Sequence, residues 1–379
     1  MPVINSIADL REIARRRIPR AIFEYGDRGS YDEVTLRRNR RDLEAIELRQ
    51  RVMVDVSKQA LETTILGEPA SFPLAIAPTG LAGMFHADGE IVGAQAAQSF
   101  GVPFCLSTMS ICSIEDVHGA GTKPFWFQLY LMRDRGFNEE LIQRARAAHC
   151  SALMVTLDLP FAAVRRRDPK NGLSIPPRLT LANAFDIATK PLWALSVLRG
   201  KRRTFGNLAG RISAAPKLRT LSQWIDSQFD PAVTWKDIEW VRSRWPGKLI
   251  LKGILDAADV DPACATGADA IVVSNHGGRQ LDAAPSTISV LPEIVEAVRG
   301  RCEILFDGGV QCGQDIFKAL ALGARGCLIG KAYLYGLAAM GHDGVTKALR
   351  ILRDELRVTL ALTGANDVHA VNAGMLRMK

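Results

Sequence analysis

Long apolar runs are missing from this chain. The longest, such as Pro191 to Leu198, stop far short of the roughly 18 to 20 residues that a membrane-spanning helix requires, so no segment is expected to cross a bilayer. The opening stretch Met1 to Ile22 carries Asp9 and Glu12, lacks a continuous apolar centre and has no small-residue cleavage site. It does not read as a secretory signal, and a cytoplasmic protein is expected. Cysteine is scarce and unpatterned: Cys105, Cys112, Cys150, Cys264, Cys302, Cys312 and Cys327 are odd in number and never form Cys-x-x-Cys. That predicts reduced thiols, with neither a disulfide framework nor a zinc site. His86, His118, His149, His276, His342 and His369 contain no pair at metal-ligand spacing, so no metal is expected. Aromatic residues make up only 7% and do not interleave with basic ones, which argues against a nucleic-acid reader.

Negative charge is the minority sign. Lysine and arginine number 48 against 40 acidic residues, and basic runs fall at Arg15 to Arg17, Arg37 to Arg41, Arg165 to Arg167 and Arg199 to Arg203. An anionic substrate, a phosphorylated cofactor or an acidic membrane surface would each account for this excess.

What is present is ample material for a large core: 379 residues, 47% of them hydrophobic. Ser6 with Asp9 resembles a capping box, and Ile7, Leu10, Ala14 and Ile18 keep one apolar face through a basic helix, read here as a helical lid or cap. From about Pro73 short apolar runs alternate with amphipathic stretches, as in successive βα units. The runs are Leu74 to Ala77, Pro103 to Leu106, Phe125 to Leu129, Leu153 to Leu157, Leu249 to Lys252, Ala270 to Ser274, Glu303 to Phe306 and Cys327 to Ile329. Eight units predict an α/β fold, a (β/α)8 TIM barrel, whose active site lies at the C-terminal strand ends. The whole chain, 1–379, is read as one domain with an N-terminal helical cap over about 1–70 and a long insertion after the fourth strand, over about 165–245. The insertion carries Pro176-Pro177, the apolar run Pro191 to Leu198 and the basic cluster Arg199, Lys201, Arg202 and Arg203. Such a segment suits a membrane interface, and equally a helix packed on the barrel or on another subunit.

The densest polar cluster, Ser274-Asn275-His276-Gly277-Gly278-Arg279-Gln280-Leu281-Asp282, follows directly on an apolar strand. A lone histidine is more often structural. Here two glycines let backbone approach a ligand, and Arg279 puts a cation beside the base. Asp158, at the end of the fourth strand, is the natural partner to orient His276, although an aspartate there can also cap a helix. Arg165 with Arg279 offers two guanidinium forks for a carboxylate, while Arg166 and Arg167 read as solvated or paired with Asp168. The turns Asp307-Gly308-Gly309 and Gly330-Lys331 follow strands seven and eight, where barrels commonly bind phosphate.

These segments, together with Ala77-Pro78-Thr79-Gly80 and Trp126-Phe127-Gln128-Leu129-Tyr130, resemble the FMN-dependent 2-hydroxy-acid dehydrogenase and oxidase family, and most closely its bacterial respiratory L-lactate dehydrogenase branch. The similarity runs from Tyr25 to the Gly336 region and beyond. It implies FMN at the barrel mouth, with its phosphate at Gly308, Gly309, Gly330 and Lys331. Ala77, Pro78 and Thr79 would face the ring through backbone, and Ser107, Gln128 and Thr156 would bond its edge. Lys252 would neutralise charge gathering on the reduced ring, with Ser274 and Asp307 completing the cofactor set. Arg165, Arg279 and Tyr25 would grip the substrate carboxylate, Tyr130 would bond the 2-hydroxyl, and His276, supported by Asp158, would take a proton.

The implied reaction is oxidation of an L-2-hydroxy acid, L-lactate to pyruvate first among them, with electrons passing to quinone or another respiratory carrier. The resemblance further implies a homotetramer, in the cytoplasm or peripheral on the cytoplasmic side of the bacterial inner membrane. Two rivals stand beside it: an oxygen-using oxidase that makes hydrogen peroxide, and a non-redox phosphate-binding barrel enzyme. Gly80 favours a dehydrogenase, since oxidases of the family tend to carry alanine there. Four residues depart from the family pattern. Gln311 and Lys331 stand where arginine is common, Arg28 replaces a glycine, and Ala163 replaces another near Arg165. The neutral amide of Gln311, taken alone, predicts looser FMN retention.

Overall fold

The computed structural model describes residues 3–121, 123–172, 180–200, 202, 204–209 and 227–377. Its central sheet is built from short β-branched and apolar runs: β1 (Leu74–Ile76), β2 (Cys105–Ser107), β3 (Trp126–Leu129), β4 (Ala152–Thr156), β5 (Lys248–Ile254), β6 (Ala270–Val273), β7 (Glu303–Phe306) and β8 (Gly326–Ile329). Neighbours pair in parallel in the order 1-8-7-6-5-4-3-2. A parallel bridge from Ile76 to Phe104 joins β1 to the residue just ahead of β2 and closes the ring. The eight predicted runs thus form a (β/α)8 barrel, with strand ends shifted by one or two residues.

Strand side chains alternate between two environments. Ala75, Trp126, Ala152, Met154, Ile250, Val272, Leu305 and Leu328 fill the interior, while Ile76, Phe127, Leu153, Val155, Leu251, Ile271, Val273 and Phe306 pack outward into the larger core shared with the helices. At the N-terminal end the hairpin Thr63–Ile65 and Glu68–Ala70 plugs the barrel, its Ile65, Leu66 and Ala70 joining the interior cluster. Glu68 accepts a hydrogen bond from the Trp126 indole at 3.2 Å, and Glu303 accepts one from Leu66 N at 2.9 Å. Two residues beyond the inward positions lie Ala77, Ser107, Gln128, Thr156, Lys252, Ser274, Asp307 and Gly330. Alternation alone therefore turns the polar strand ends toward the barrel mouth.

The capping box at Ser6 and Asp9 is present, and it starts the helix Ile7–Arg17. That helix buries Ile7, Leu10 and Ala14 against the long C-terminal helix Lys331–Thr363, on the barrel's flank. It reaches the barrel mouth through Arg11, which borders the central cavity and pairs with Asp27 at 2.6 Å. Most of the N-terminal residues bordering that cavity come from the next two helices, Arg20–Asp27 and Val34–Ala45, among them Tyr25, Asp27, Leu36 and Arg40.

Between β4 and β5 the described residues of the insertion include the helices Leu181–Ala188, Pro191–Arg199 and Trp235–Arg244. The dipeptide Pro176-Pro177 and the cations Lys201 and Arg203 lie outside the described residues. The helix Pro191–Arg199 has two faces. Trp193 packs inward and donates its indole N–H to Met84 O at 2.8 Å, whereas Leu192, Leu195 and Leu198 are 67%, 45% and 64% exposed. Arg202 is turned inward to Asp88 at 2.7 Å and Asp116 at 2.8 Å. Among the described residues no helix is long and apolar enough to cross a membrane.

Trp126 is the largest side chain inside the barrel and is fully buried. Truncation to alanine should cost about 3–5 kcal/mol of stability, read as a fall in the denaturant midpoint. An unchanged midpoint would contradict its role in filling the interior.

Candidate active site

The inward-facing strand ends open into a cavity of about 680 Å³, bordered by Tyr25, Tyr130, Arg165, Lys252, His276, Arg279, Gly309 and Lys331 among others. His276 leaves β6 in the left-handed region, with φ +57°, and Gly277 and Gly278 follow at +65° and +73°. A Cβ on Gly278 would fall 2.6 Å from Leu36 N, so only glycine lets the turn lie under the helix Val34–Ala45. Ser274 Oγ accepts from His276 N at 3.1 Å, which fixes the histidine backbone from the strand side.

His276 Nδ1 lies 3.0 Å from Asp158 Oδ1. An ionised aspartate places the ring proton on Nδ1 and leaves Nε2 as the basic nitrogen. Burial pushes the Asp158 carboxyl up, but the nearby charges of His276 and Lys252 outweigh it and hold Asp158 below its ordinary value. Gly253 permits this contact, because at φ +109° its Cβ would stand 2.8 Å from Asp158 Cβ.

On another side of the cavity the guanidinium carbons of Arg165 and Arg279 sit 5.2 and 4.9 Å from the centre of the Tyr25 ring. Arg279 donates to the carbonyls of Tyr25 and Arg28. Burial and the neighbouring Arg165 both push the Arg279 charge down, so an anion between the two arginines would relieve them. Asp168 pairs with Arg165 at 3.2 Å, and Arg166 pairs with Asp32 instead. Tyr130 stacks on Phe229 at 4.9 Å, and burial, reinforced by the Asp158 charge, raises its phenol above the ordinary value and keeps it protonated.

Deeper in, Lys252 donates to Ser274 Oγ at 2.7 Å and meets Asp307 Oδ2 at 2.9 Å. Burial works against its charge, but Asp307 and Asp158 raise it above the usual lysine value. Ser107 donates to Gln128 Oε1 at 3.0 Å. Gln128 Nε2 and Asp307 Oδ1, by contrast, are buried and have no partner among the described residues. Leaving such groups unmet costs about 1–3 kcal/mol each, so a ligand with both acceptors and donors suits them. Gly308 and Gly309 have φ of +109° and +97°; a Cβ on the first would collide with Thr287 Oγ1, and one on the second would lie 3.2 Å from Asn39 Cβ. Among the described residues the N–H groups of Gly308, Gly309 and Val310 meet no protein acceptor, which makes the turn a cradle for an anion. A ring edge with carbonyls, a hydroxylated chain and a phosphate would satisfy these groups in that order, and FMN is such a molecule.

Of the residues singled out for the site, Tyr25, Ala77, Pro78, Thr79, Ser107, Tyr130, Thr156, Arg165, Lys252, His276, Arg279, Asp307, Gly308, Gly309, Gly330 and Lys331 border the cavity, and Asp158, Gln128 and Ser274 reach it through His276, Ser107 and Lys252. Lys331 is also tethered. Its Nζ donates to Asp27 O at 2.6 Å, and burial with the Arg279 charge pushes it down to about 7. Sequence reasoning missed Gly253, Phe229, the reciprocal amide pair Asn39–Asn275 (2.9 and 2.7 Å) and Arg40, which donates to Gly309 O at 2.6 Å. The run Arg37 to Arg41 was the one signal for the last of these.

A (β/α)8 barrel whose mouth joins a His–Asp pair and two arginines to a phosphate-type glycine turn defines an enzyme that handles an anionic substrate beside a phosphorylated cofactor. The chain belongs to the FMN-dependent dehydrogenase family, whose model matches residues 14–378, and is an FMN-dependent enzyme of the 2-hydroxy-acid dehydrogenase and oxidase class. It is 46% identical over 375 residues to an L-lactate dehydrogenase of Caulobacter vibrioides, covering 99% of this chain and 98% of that one. An L-lactate dehydrogenase of Acinetobacter baylyi is 44% identical, with 99% and 97% covered. Among solved structures, the monotopic membrane protein (S)-mandelate dehydrogenase superposes with a TM-score of 0.92 at 34% identity over the full length of both chains. A mandelate oxidase gives 0.85 at 36%, covering 100% of this chain and 99% of the other.

Replacing Asp158 with asparagine should lower turnover by roughly 10²- to 10⁴-fold while leaving the spectrum of bound flavin unchanged. Gly253→Ala should lower it too, through displacement of Asp158. Stopped-flow reduction measures both, and near-normal rates in Asp158→Asn would remove Asp158 from the base.

Proposed function

We propose that the whole chain, acting as one domain, oxidises an L-2-hydroxy acid, with L-lactate to pyruvate the favoured reaction, and passes the electrons to a quinone. The observation that carries this reading is the juxtaposition, in one cavity, of the His276–Asp158 pair with the Tyr25, Arg165 and Arg279 cluster. In it Arg165, Arg279 and Tyr25 hold the carboxylate, and Tyr130, kept protonated, bonds the 2-hydroxyl. His276 Nε2 accepts the proton that leaves the substrate, and Asp158 stabilises the resulting imidazolium. FMN, when bound, accepts the two electrons.

Gln128, Ser107 and Thr156 would orient its ring edge, with Ala77, Pro78 and Thr79 beside it through backbone. Lys252, held by Ser274 and Asp307, would offset the negative charge of reduction. Gly308, Gly309 and Gly330 would take the phosphate end, with Lys331 beside them but engaged by Asp27 O. Lactate is favoured by the relatives, which carry that activity in their names at 44–46% identity. A dehydrogenase is favoured by Gly80, where an added Cβ would press on Met109 at 3.2 Å and on Tyr25 Oη at 3.4 Å.

The same reading places the protein as a homotetramer on an anionic lipid surface, at the cytoplasmic face of the inner membrane. The exposed leucine face of Pro191–Arg199 and the 74% exposed Phe185 are the apolar part of that contact, with the exposed Arg15 and Arg16 as its basic part.

L-Lactate added without oxygen should bleach the bound flavin, and a soluble quinone should restore the colour with little peroxide formed on later exposure to air. Peroxide as the main product would replace the reading with an oxidase. Bleaching by mandelate but not lactate would move the substrate. The triple variant Leu192→Ser, Leu195→Ser, Leu198→Ser should bind anionic vesicles at least about tenfold more weakly in cosedimentation. Its turnover with a soluble acceptor should hold, and unchanged vesicle binding would remove this face from the membrane contact.

A further inference from the structure

The phosphate end of the cavity lacks the cation that its own turn should supply. Gln311 is neutral, and Lys331 is held by Asp27 O. A carboxylate sits there as well: the buried Asp315 accepts from Gln311 N at 2.8 Å and from Cys312 N at 3.1 Å, and on its own it would repel a phosphate. The helix Val34–Ala45 lies directly on this turn, since Asn39 Cβ and Leu43 Cδ1 are each 3.2 Å from the Cβ position of Gly309.

From that helix Arg40 reaches in. Its Nη1 donates to Gly309 O and to Asp315 Oδ2, both at 2.6 Å, and its Nη2 donates to Glu44 at 3.3 Å. A guanidinium has five N–H donors, so Nε–H and one Nη2–H remain without an acceptor among the described residues. Arg40 borders the cavity beside Gly308, Gly309 and Gln311.

We propose that Arg40 is the phosphate cation of this protein, relocated from the glycine turn to the helix Val34–Ala45. It neutralises Asp315, holds the Gly309 carbonyl turned away from the anion, and adds charged donors where Gln311 has none. The looser FMN retention that Gln311 alone would cause is thereby offset. Cofactor binding then also ties the N-terminal helices to the barrel, because the cation and the turn it serves are about 270 residues apart in the chain.

The test compares FMN with riboflavin, which lacks only the phosphate, by fluorescence titration of the flavin-free full chain. Arg40→Ala should weaken FMN binding about 10- to 100-fold and leave riboflavin within about twofold, as expected for the loss of charge-assisted hydrogen bonds. The salt dependence of FMN binding should fall with it. Arg40→Lys should retain part of the FMN preference, and Arg41→Ala, at a side chain 71% exposed, should retain all of it. Adding Gln311→Arg to Arg40→Ala should restore the preference. If Arg40→Ala does not fold, Arg40→Gln carries the same comparison. Equal losses for FMN and riboflavin, or no loss for FMN, in whichever variant folds, would overturn the proposal and leave Arg40 as a prop for the turn.

Discussion

A closed ring of eight parallel strands leaves an interior that only side chains can fill, and every second residue must point into it. That constraint organises this protein from end to end. The lower layers are met by Trp126, Met154, Ile250 and Leu305, with the hairpin at Ile65 and Leu66 sealing the base. In the topmost layer the same inward phase falls on Ser107, Gln128, Thr156, Lys252, Ser274 and Asp307. Polar side chains are affordable there because the barrel opens at that end and because they satisfy one another, as in the contacts of Lys252 with Ser274 and Asp307. The few polar atoms left over, Gln128 Nε2 and Asp307 Oδ1, are those a flavin would engage.

The second organising feature is charge kept in balance across the mouth. Asp158 and Asp307 lie near Lys252 and His276 on the inner side, and Arg165 and Arg279 flank Tyr25 on the outer side. The inner set is nearly closed on itself. The outer set is not, since Asp168 answers Arg165 while Arg279, among the described residues, meets backbone carbonyls and the Tyr25 ring but no carboxylate. An anion placed there would complete that outer set, on the side of the mouth that the His276–Asp158 pair also faces. The glycines Gly253 and Gly278 serve this arrangement sterically, each admitting a backbone or side chain that a methyl would displace.

Most of the barrel was legible in the residues. β-Branched and apolar runs recur eight times, and in six of them the period of two assigns a polar strand end to the interior. Strand limits moved by a residue or two because pairing depends on the neighbour: Pro103, without an N–H, contributes only its carbonyl, to Ile76 N at 2.9 Å, and β2 begins at Cys105. The insertion was undecided for a different reason. A helix with Trp193 on one face and Leu192, Leu195 and Leu198 on another has two apolar sides, and only packing shows which one the barrel covers.

What the sequence by itself determined is therefore local and periodic: eight strands, their inward phase, the His276 turn and the glycine turns, all set by side-chain alternation and backbone freedom over a few residues. The tertiary structure alone decided the long-range pairings. It put the first helix on the barrel's flank, brought Asp158 across 118 residues to His276, and laid Arg40 against Gly309 across 269. No short-range pattern encodes such contacts, because they depend on how the ring closes and on which face of the helix Val34–Ala45 meets the turn.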